Sequence, residues 1–349
     1  MKESSGLSIV DRSLEAAFDA QDGYLTPNDR FFVCNSGTTP IIDAAQHVVN
    51  VHGDGVANDL ELSVADLEAM PQRSVSAVLE CAGNHRFLFC EVGGETLDKR
   101  PQVTELMWGL GAVGMAQWRG VPLRHVLGLA GLCRDAYHVC PKGAETDSRE
   151  GEVKIPMPVS KAMDPDTILA LEMNGEPLPP DHGAPVRMIV PGWIGAYSVK
   201  WVREIEVSRH FLEVTRNTES YVLRGHDWPA RGIPITELNL KSSLALPWPA
   251  RLPAGDHVLH GYARGSTARI DSVHWSDDGG SSWRAAELTG PNEPYGWARF
   301  RFRWRAAGGR HSLMTRATDR HGSTQPATVP FNNGGYLFNA VHPHPVIVD

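Results

Sequence analysis

The chain has 349 residues, of which 42% are hydrophobic and 21% charged, and its formal net charge is −8. Its length predicts two domains, because single hydrophobic cores seldom grow beyond about 250–300 residues. The apolar content excludes a disordered chain, and the acidic charge argues against a general nucleic-acid binder, which needs a basic surface.

Cysteine usage and the terminal sequence indicate the class of protein. The five cysteines are an odd number, which fits reduced thiols better than a disulfide framework, and no pair has the CxxC spacing of a zinc ribbon, a thioredoxin motif or a haem-attachment site. The N-terminal residues contain no apolar run of the length typical of a signal peptide. The sequence also contains no run of about 18 apolar residues, the length that would predict a membrane span. We expect a cytoplasmic protein, or a periplasmic one if a leader has been removed.

The first predicted elements are short strands and helices. Residues 47–53 (HVVNVHG) alternate in polarity and predict a strand before a glycine turn. Ser63 and Asp66 form the sequence pattern of a capping box, which predicts a short helix over 63–70. Residues 74–81 (SVSAVLEC) predict a β-branched strand, and residues 87–102 predict an irregular loop.

The next elements continue the same mixture. Residues 120–132 have the apolar spacing of a helix, and residues 137–145 and 168–173 resemble strands. Residues 186–207 predict two buried strands joined by a glycine-rich turn. Together these elements indicate an α+β domain that ends near residue 210.

The C-terminal part has a different pattern. From about residue 235 no helical period remains, and short alternating runs between turns predict an all-β sandwich. Arg299, Arg301, Arg303 and Arg305 alternate with aromatic residues, which we interpret as a solvated strand face over an aromatic core. The predicted organisation is a lead-in over 1–23, a first domain over 24–211, a proline-rich linker over 212–250 that packs at the interface, and a sandwich over 251–349.

Cys81 is the most informative of the thiols. It lies in LECAGNHR, at the end of a predicted strand, where a thiolate would serve as a nucleophile or as a soft metal ligand. A buried thiol that only packs explains the segment equally well. His85 is a candidate base for a cysteine nucleophile, although no further hydrolase motif accompanies it. Cys90, Cys133 and Cys140 are interpreted as packing thiols.

A second candidate site is a cluster of basic residues. His182, Arg187 and Lys200 stand in one glycine-rich stretch. They are a candidate cradle for phosphate, because an arginine fork matches a phosphate and glycine amides approach it closely. From the residues alone, surface charge beside a turn is the simpler interpretation. The pair His342 and His344 is a weak candidate for metal binding.

Taken in order, these segments resemble the sulfite oxidase family of molybdenum enzymes. The segments are FFVCN (31–35), LECAGNHR (79–86), MWGLGAVGMAQWRGVPLRHVL (107–127), HVCPKG (138–143), AMDP (162–165) and EMNGEPLPPDHGAPVRMIVPGWIGAYSVKW (172–201). The stretches VHWSDDGGSSW and TRATDRHGSTQP resemble that family's immunoglobulin-like dimerisation domain. The resemblance implies an α+β fold, with a mixed α/β molybdopterin-binding domain followed by an all-β immunoglobulin-like sandwich.

The resemblance also implies one molybdopterin cofactor per chain, with molybdenum bound by Cys81. By position, the residues that resemble the family's pterin and phosphate contacts are Phe31, Phe32, Val33, Cys34, Asn35, Asp147, His182, Arg187, Ser198, Val199 and Lys200. Arg86, Trp108 and Tyr221 resemble its substrate-pocket residues, and with Cys81 they form the implied catalytic set. A soft thiolate suits a soft metal that also takes dithiolene sulfur.

The chain departs from the family pattern at three positions. Cys34 stands where the family usually has arginine, and Pro343 or its neighbours stand where a further substrate-pocket arginine is expected. Losing two positive charges should weaken the binding of a dianion. His85 also replaces a more usual arginine, and its protonated form is expected to restore some of that charge.

These observations leave several functional hypotheses. The first is a molybdenum oxidoreductase that converts a small sulfur oxyanion, above all sulfite to sulfate, and passes electrons to an external acceptor such as a cytochrome c subunit. The resemblance implies a homodimer, and no haem is expected in the chain. A second hypothesis keeps the fold and changes the substrate to a sulfane, a sulfoxide or another oxyanion. A non-catalytic partner-binding protein and a cysteine hydrolase are the remaining alternatives.

Overall fold

The fold is that of a computed structural model, which describes residues 7–10, 13–97, 106–145, 147–148 and 151–349. The strands of the first domain are β1 (Leu7–Val10), β2 (Ser13–Ala16), β3 (Val48–His52), β4 (Leu60–Ser63), β5 (Arg73–Glu80), β6 (Val113–Pro122), β7 (His138–Gly143), β8 (Met157–Pro158), β9 (Ile168–Met173), β10 (Glu176–Pro177), β11 (Arg187–Ile189) and β12 (Val202–Ser208). Its helices are α1 (Val64–Ala69), α2 (Phe87–Glu91), α3 (Leu123–Leu129) and α4 (Val159–Ala162).

A π-helical turn at Arg216–Ser220 leads to the remaining strands. These strands are β13 (Val222–Leu223), β14 (Ile233–Pro234), β15 (Lys241–Leu244), β16 (Ala250–Leu252), β17 (Gly255–Arg264), β18 (Ile270–Ser276), β19 (Arg284–Ala285), β20 (Glu287–Thr289), β21 (Trp297–Ala306), β22 (Gly309–Asp319) and β23 (His344–Val348). None of the described helices is long and apolar enough to cross a membrane.

Two sheets organise the first domain. One has the strand order β10-β9-β6-β5, with β11 also paired to β9, and all of its pairs are antiparallel. The other has the order β4-β3-β12-β7-β8, in which β12 runs parallel to β3 and antiparallel to β7. Mixed sheets with short helices confirm the predicted α+β class.

Local sequence patterns explain some elements, whereas distant contacts explain others. The Ser63 hydroxyl accepts a hydrogen bond from the Asp66 backbone at 3.1 Å, and the Asp66 carboxylate accepts one from the Ser63 backbone at 2.9 Å, so the predicted capping box begins α1. The segment after residue 86, predicted as an irregular loop, instead begins with α2. Its Phe89 ring lies edge-on to Phe338 at 5.0 Å, a contact with the C-terminal part of the chain that local spacing cannot reveal.

The second domain is the predicted all-β sandwich. Its sheets have the strand orders β15-β17-β21-β20 and β16-β23-β22-β18-β19. On β21 the aromatic residues Phe300 and Trp304 are buried and Arg303 between them is exposed, which confirms the predicted alternation. The first strand of the sandwich, β15, lies inside the segment predicted as a linker, so the sheet begins at Lys241 and not at residue 251.

A buried ion cluster joins the two domains at the end of β5. Glu80 accepts a hydrogen bond from Lys241 Nζ at 2.7 Å and another from Arg264 Nε, and none of the three side chains is more than 6% exposed. Burial raises the pKa of Glu80, but Arg264 and Lys241 outweigh burial and hold that pKa at about 2. Glu80 is therefore ionised at neutral pH, and the two cations from the second domain neutralise it.

Three buried histidines lie beside this cluster. The rings of His85 and His342 are 5.6 Å apart, and His344 lies 4.8 Å from the ring of Trp248. Burial lowers the pKa of His342 and of His344 to about 4, and it lowers the pKa of His85 well below its usual value. The three rings are therefore uncharged at neutral pH.

We expect Glu80→Gln to lower the free energy of unfolding by about 3–5 kcal/mol, because it leaves two buried cations without their counter-charge. Urea unfolding followed by circular dichroism measures the change. Glu287→Gln is the matched control, since Glu287 forms an exposed pair with Arg301 and should leave stability almost unchanged. Equal effects of the two substitutions would contradict a structural role of the buried cluster.

Acid should weaken the fold through the buried histidines. His342 and His344 have a pKa of about 4 in the fold against 6.5 in an unfolded chain, so the unfolded chain binds their protons first as the pH falls. Each histidine should therefore lower the free energy of unfolding by about 1.4 kcal/mol per pH unit between pH 6.5 and pH 4. Urea unfolding at several pH values should show a shallower slope for His342→Gln than for the wild type. An unchanged slope would argue against this assignment.

Candidate active site

A cavity lies in the first domain at the end of β5, and its empty space of about 700 Å³ includes part of the open solvent at its mouth. It brings together residues that are far apart in the sequence. The predicted site residues that line it are Phe32, Val33, Cys34, Cys81, His182, Arg187, Ser198, Val199, Lys200 and Tyr221. Ten of the predicted positions therefore share one cavity.

The turn that carries Cys81 is fixed by its own backbone and by one asparagine. The Cys81 backbone donates to the Ala112 carbonyl at 3.0 Å, and its carbonyl accepts from the Asn84 backbone at 2.9 Å. The Asn84 side chain accepts from the Ala112 backbone at 3.1 Å and donates to Glu80 at 3.1 Å. The ion cluster at Glu80 and the thiol at Cys81 thus share one framework.

Arg86 lies directly beside this turn. Its guanidinium packs over Gly83, where a Cβ atom would lie only 2.7 Å from Arg86 Cζ, so a side chain at that position would displace the guanidinium. Nη1 donates to the Leu106 carbonyl at 2.8 Å, and the guanidinium lies 5.2 Å from the centre of the Tyr336 ring. The side chain is buried, and among the described residues it stands behind the cavity lining and not within it.

Cys34 and Cys81 line the same cavity, and their ionisations influence each other. The interaction with Cys81 lowers the pKa of Cys34 to about 7. The interaction with Cys34, together with burial, raises the pKa of Cys81 well above its usual value, while the nearby Arg86 acts in the opposite direction. The pair therefore stabilises one thiolate near neutral pH.

Two cations stand on the cavity wall: Arg187 is buried and Lys200 is half-buried. Lys200 Nζ donates to the Asn35 side chain and to the Asp181 carbonyl, the latter at 3.0 Å. Burial and the charge of Arg187 lower the pKa of Lys200 to about 8, and burial lowers the pKa of Arg187 to about 9. Arg187 Nη1 donates to the His182 carbonyl at 3.1 Å, and its Nε has no hydrogen-bond partner among the described residues. An anion in the cavity would stabilise both charges.

His182 is a neutral member of the same wall. Its Nε2 lies 3.0 Å from the Asn28 carbonyl, to which it donates. Burial, with the charges of Arg187 and Lys200, lowers the pKa of His182 to about 3. The ring stands edge-on to Phe31 at 5.5 Å, so it positions the wall and adds no positive charge.

Several predicted residues lie behind the lining. Phe31 packs edge-on against Trp118 at 5.9 Å, and Asn35 holds Lys200. Asp147 is exposed, and its carboxylate accepts two hydrogen bonds from Thr38, each of 2.7 Å. Two acidic residues, Glu145 and Asp181, line the cavity, and Glu145 accepts from the Ser36 and Gly37 backbones at 3.2 and 3.0 Å.

Two aromatic residues complete the predicted set. Trp108 is fully buried, stands edge-on to Phe32 at 6.5 Å, and has an Nε1 without a partner among the described residues. Tyr221 follows the π-helical turn, and its ring lies 5.8 Å from Tyr336. Burial raises the pKa of Tyr221 well above its usual value, although Arg216 opposes this effect, so its hydroxyl keeps its proton at neutral pH.

The sequence patterns did not reveal Arg216 or Tyr336. Arg216 lines the cavity, is buried, and donates from Nη2 to the Ser36 hydroxyl at 3.0 Å. Its spacing of five residues before Tyr221 is the one available signal, because a π-helical turn pairs such residues, and the Tyr221 backbone does donate to the Arg216 carbonyl at 3.0 Å. Tyr336 comes from a distant C-terminal segment and has no comparable signal.

His85 does not carry the positive charge that the sequence led us to expect. His85 has a positive φ of 70° and its ring faces His342 at the domain interface. Burial lowers its pKa well below the usual value, so it is neutral where a cation was predicted. Pro343 stands between His342 and His344, which pack against Trp248, and among the described residues it does not line the cavity.

The residues present fit a molybdopterin cofactor. Cys81 supplies a soft donor, and in the described part of the chain no three His, Cys, Asp or Glu side chains are grouped to hold a metal. The remaining metal ligands would therefore come from the cofactor. The unpartnered Nε of Arg187 and the ammonium group of Lys200 suit a phosphate group on the wall of the same cavity.

Both domains match family models. The first matches the oxidoreductase molybdopterin binding domain over residues 36–213, and the second matches the Mo-co oxidoreductase dimerisation domain over residues 232–348. These two matches correspond to the two parts of the fold described above.

Individual proteins are similar over nearly the whole chain. Mitochondrial sulfite oxidase of Mus musculus is 33% identical over 341 residues, which cover 92% of this chain and 61% of the mouse protein. The chain thus spans about three fifths of the length of that relative. Sulfite oxidase of Gallus gallus is 35% identical, with coverage of 91% of this chain and 72% of the chicken protein.

A solved structure supports the same relationship. The sulfane dehydrogenase SoxCD from Paracoccus pantotrophus has a TM-score of 0.84 and 27% sequence identity, and the match covers 98% of this chain and 86% of that chain. This agreement confirms the predicted order of a mixed first domain and an all-β second domain. The family models, the relatives and the fold together show that the chain belongs to the sulfite oxidase family of molybdopterin-dependent oxidoreductases.

Proposed function

We propose that the chain is a molybdenum-cofactor oxidoreductase that oxidises a small sulfur oxyanion, with sulfite as the substrate and sulfate as the product. The observation that carries this proposal is the Cys81 thiol in a cavity whose wall also holds buried Arg187 and half-buried Lys200. A soft thiolate and two cations in one cavity suit a metal cofactor with an anionic end.

The chain's own residues would hold the cofactor from two sides. Cys81 would bind the metal, and the hydrogen bonds of Asn84 would keep the turn and the thiol in place. Arg187 and Lys200 would hold the anionic end, and neutral His182, whose one N–H donates to the Asn28 carbonyl, would offer only an acceptor nitrogen beside them. When bound, the cofactor supplies the two-electron oxo-transfer chemistry.

Substrate binding depends on groups beside the thiol. The charge of Arg86 would attract and orient an oxyanion. Tyr221 keeps its proton because burial raises its pKa, so its hydroxyl would donate a hydrogen bond to a substrate oxygen. Phe32 lines the cavity with Trp108 packed behind it, an apolar arrangement that would exclude bulk water. Conversion of sulfite to sulfate takes one oxygen from water and releases two protons and two electrons.

The two electrons require an acceptor outside the chain, for which a cytochrome c subunit is the proposed partner. The sandwich is the proposed site of homodimer formation. The match of residues 232–348 to a dimerisation-domain model supports this part of the proposal.

A second candidate function is the same chemistry on a sulfane or another oxyanion. Cys34 favours it, because a neutral or anionic sulfur at the cavity wall replaces a cation that a dianion would use. The neutral state of His85 has the same effect. A sulfite titration with an artificial electron acceptor separates the two candidates: saturation at micromolar sulfite supports the first, and millimolar or undetectable affinity supports the second.

Metal analysis tests the role of Cys81. We expect about one molybdenum per chain after expression in a host that makes the cofactor, and less than about a tenth of that in Cys81→Ser, because the thiolate ligand is lost. Elemental analysis by mass spectrometry measures both values. Cys133→Ser is the matched control, since Cys133 is half-buried and its sulfur accepts from Arg209 at 3.4 Å. Full molybdenum content in Cys81→Ser would contradict the ligand assignment.

Steady-state kinetics test the role of Arg86. We expect Arg86→Met to raise KM for sulfite about 10- to 100-fold, because the positive charge that attracts the oxyanion from behind the cavity lining is lost. Arg86→Lys keeps the charge and should lose less. Arg301→Met, at an exposed site on the sandwich, controls for the loss of an arginine. An unchanged KM in Arg86→Met, with normal molybdenum content, would exclude a role in substrate binding.

A further inference from the structure

The buried ion cluster at the domain interface contains one more cation than its carboxylate needs. Lys241 on β15 and Arg264 on β17 are directly opposite each other, and both contact Glu80. Like charges at opposed positions of neighbouring strands repel, and burial makes an unbalanced charge costly. Either cation alone would neutralise Glu80, so the presence of a second one requires a separate explanation.

The two cations differ in what else they contact. Lys241 Nζ donates to Glu80 Oε1 at 2.7 Å and also to the Asn84 carbonyl at 3.4 Å. Arg264 donates to Glu80 Oε2 and to the Asn239 carbonyl instead. Of the two cations, Lys241 is therefore the one that reaches the turn after β5.

Asn84 connects this contact to the residue that carries the thiol. Its side chain donates to Glu80 Oε1 at 3.1 Å, and that oxygen also accepts from Lys241. Its side-chain oxygen accepts from the Ala112 backbone at 3.1 Å, and the Ala112 carbonyl accepts from the Cys81 backbone at 3.0 Å. The Asn84 backbone donates to the Cys81 carbonyl at 2.9 Å. Lys241 and Cys81 are thus joined through one asparagine, with a hydrogen bond at each step.

We propose that Lys241 is a positioning residue for the Cys81 thiolate, through which the sandwich domain helps to set the coordination of the metal. This role rests on the proposed function, because it takes Cys81 as the molybdenum ligand. It gives the second domain a part in the active site in addition to the proposed dimer formation. Groups that orient a metal ligand typically change metal affinity or activity about 10- to 100-fold when they are removed.

Lys241→Met and Arg264→Met form a matched pair of variants. Each removes one cation from Glu80 and leaves the other, so each keeps one buried ion pair and should fold. Lys241→Met also removes the contact with Asn84, whereas Arg264→Met keeps it. A difference between the two variants therefore measures the effect of that contact and not of the lost charge.

Hydrogen exchange of the full chain, prepared without cofactor, tests the contact with the turn. We expect amide exchange in the peptide that contains residues 81–84 to be about tenfold faster in Lys241→Met than in the wild type, because a charge-assisted hydrogen bond is lost. Exchange in Arg264→Met should stay within about threefold of the wild type. Equal exchange in the wild type and in Lys241→Met would overturn the proposal.

The molybdenum-loaded chain tests the effect on the metal. After partial chemical reduction, the g values of the molybdenum electron paramagnetic resonance signal should shift in Lys241→Met and match the wild type in Arg264→Met. For sulfite, kcat per bound molybdenum should fall about tenfold or more in Lys241→Met while KM stays within about threefold, because the thiolate moves and the substrate contacts remain. Since the signal comes only from folded, loaded molecules, a low yield of folded Lys241→Met leaves this measurement decisive.

The outcomes separate the positioning role from the proposed function. Unchanged g values in Lys241→Met, or equal shifts in the two methionine variants, would overturn the positioning role. A wild-type chain that binds molybdenum but does not oxidise sulfite would contradict the proposed substrate, and the g values would then decide the role of Lys241. A wild-type chain that binds no molybdenum would contradict both the proposed cofactor and the role of Lys241 at the metal.

Discussion

Glu80 is buried between Lys241 and Arg264, and each of these cations comes from the sandwich domain. A buried carboxylate is tolerated only with such partners, because each charge would otherwise lose its hydration without compensation. Glu80 also precedes Cys81 directly and accepts a hydrogen bond from Asn84. The position of the thiol in the first domain therefore depends on contacts made by the second, and the two domains form one functional unit.

The charge of the cavity wall differs from the net charge of the chain. The chain is acidic overall, with a net charge of −8, yet the cavity wall presents three cations, Arg187, Lys200 and Arg216. Burial lowers the pKa of Arg187 and of Lys200, so these groups are poorly solvated and favour an anionic ligand. Positive charge is concentrated at the proposed cofactor end. At the substrate end Arg86 supplies the positive charge, because Cys34 and the neutral His85 carry none.

Short-range patterns predicted much of the fold, and sequence resemblance predicted most of the site. The capping box at Ser63 and the alternation along β21 depend on neighbouring residues, so the sequence contains the whole signal. The sequence patterns did not predict contacts between distant segments. Helix α2 packs against the C-terminal part of the chain. Tyr336 contacts Arg86, although the two residues are far apart in the sequence. His85 was placed wrongly because one positive φ turns its side chain toward the domain interface, and residue identity does not reveal that direction.

The proposed function depends most on Cys81 as the protein ligand of the metal. A crystal structure of the molybdenum-loaded chain, with anomalous scattering recorded at the molybdenum edge, measures this directly. We expect one anomalous peak at bonding distance from Cys81 Sγ, with Arg187 and Lys200 in contact with the anionic end of the cofactor. A peak at any other site, or a Cys81 thiol without a metal in a fully loaded crystal, would contradict it.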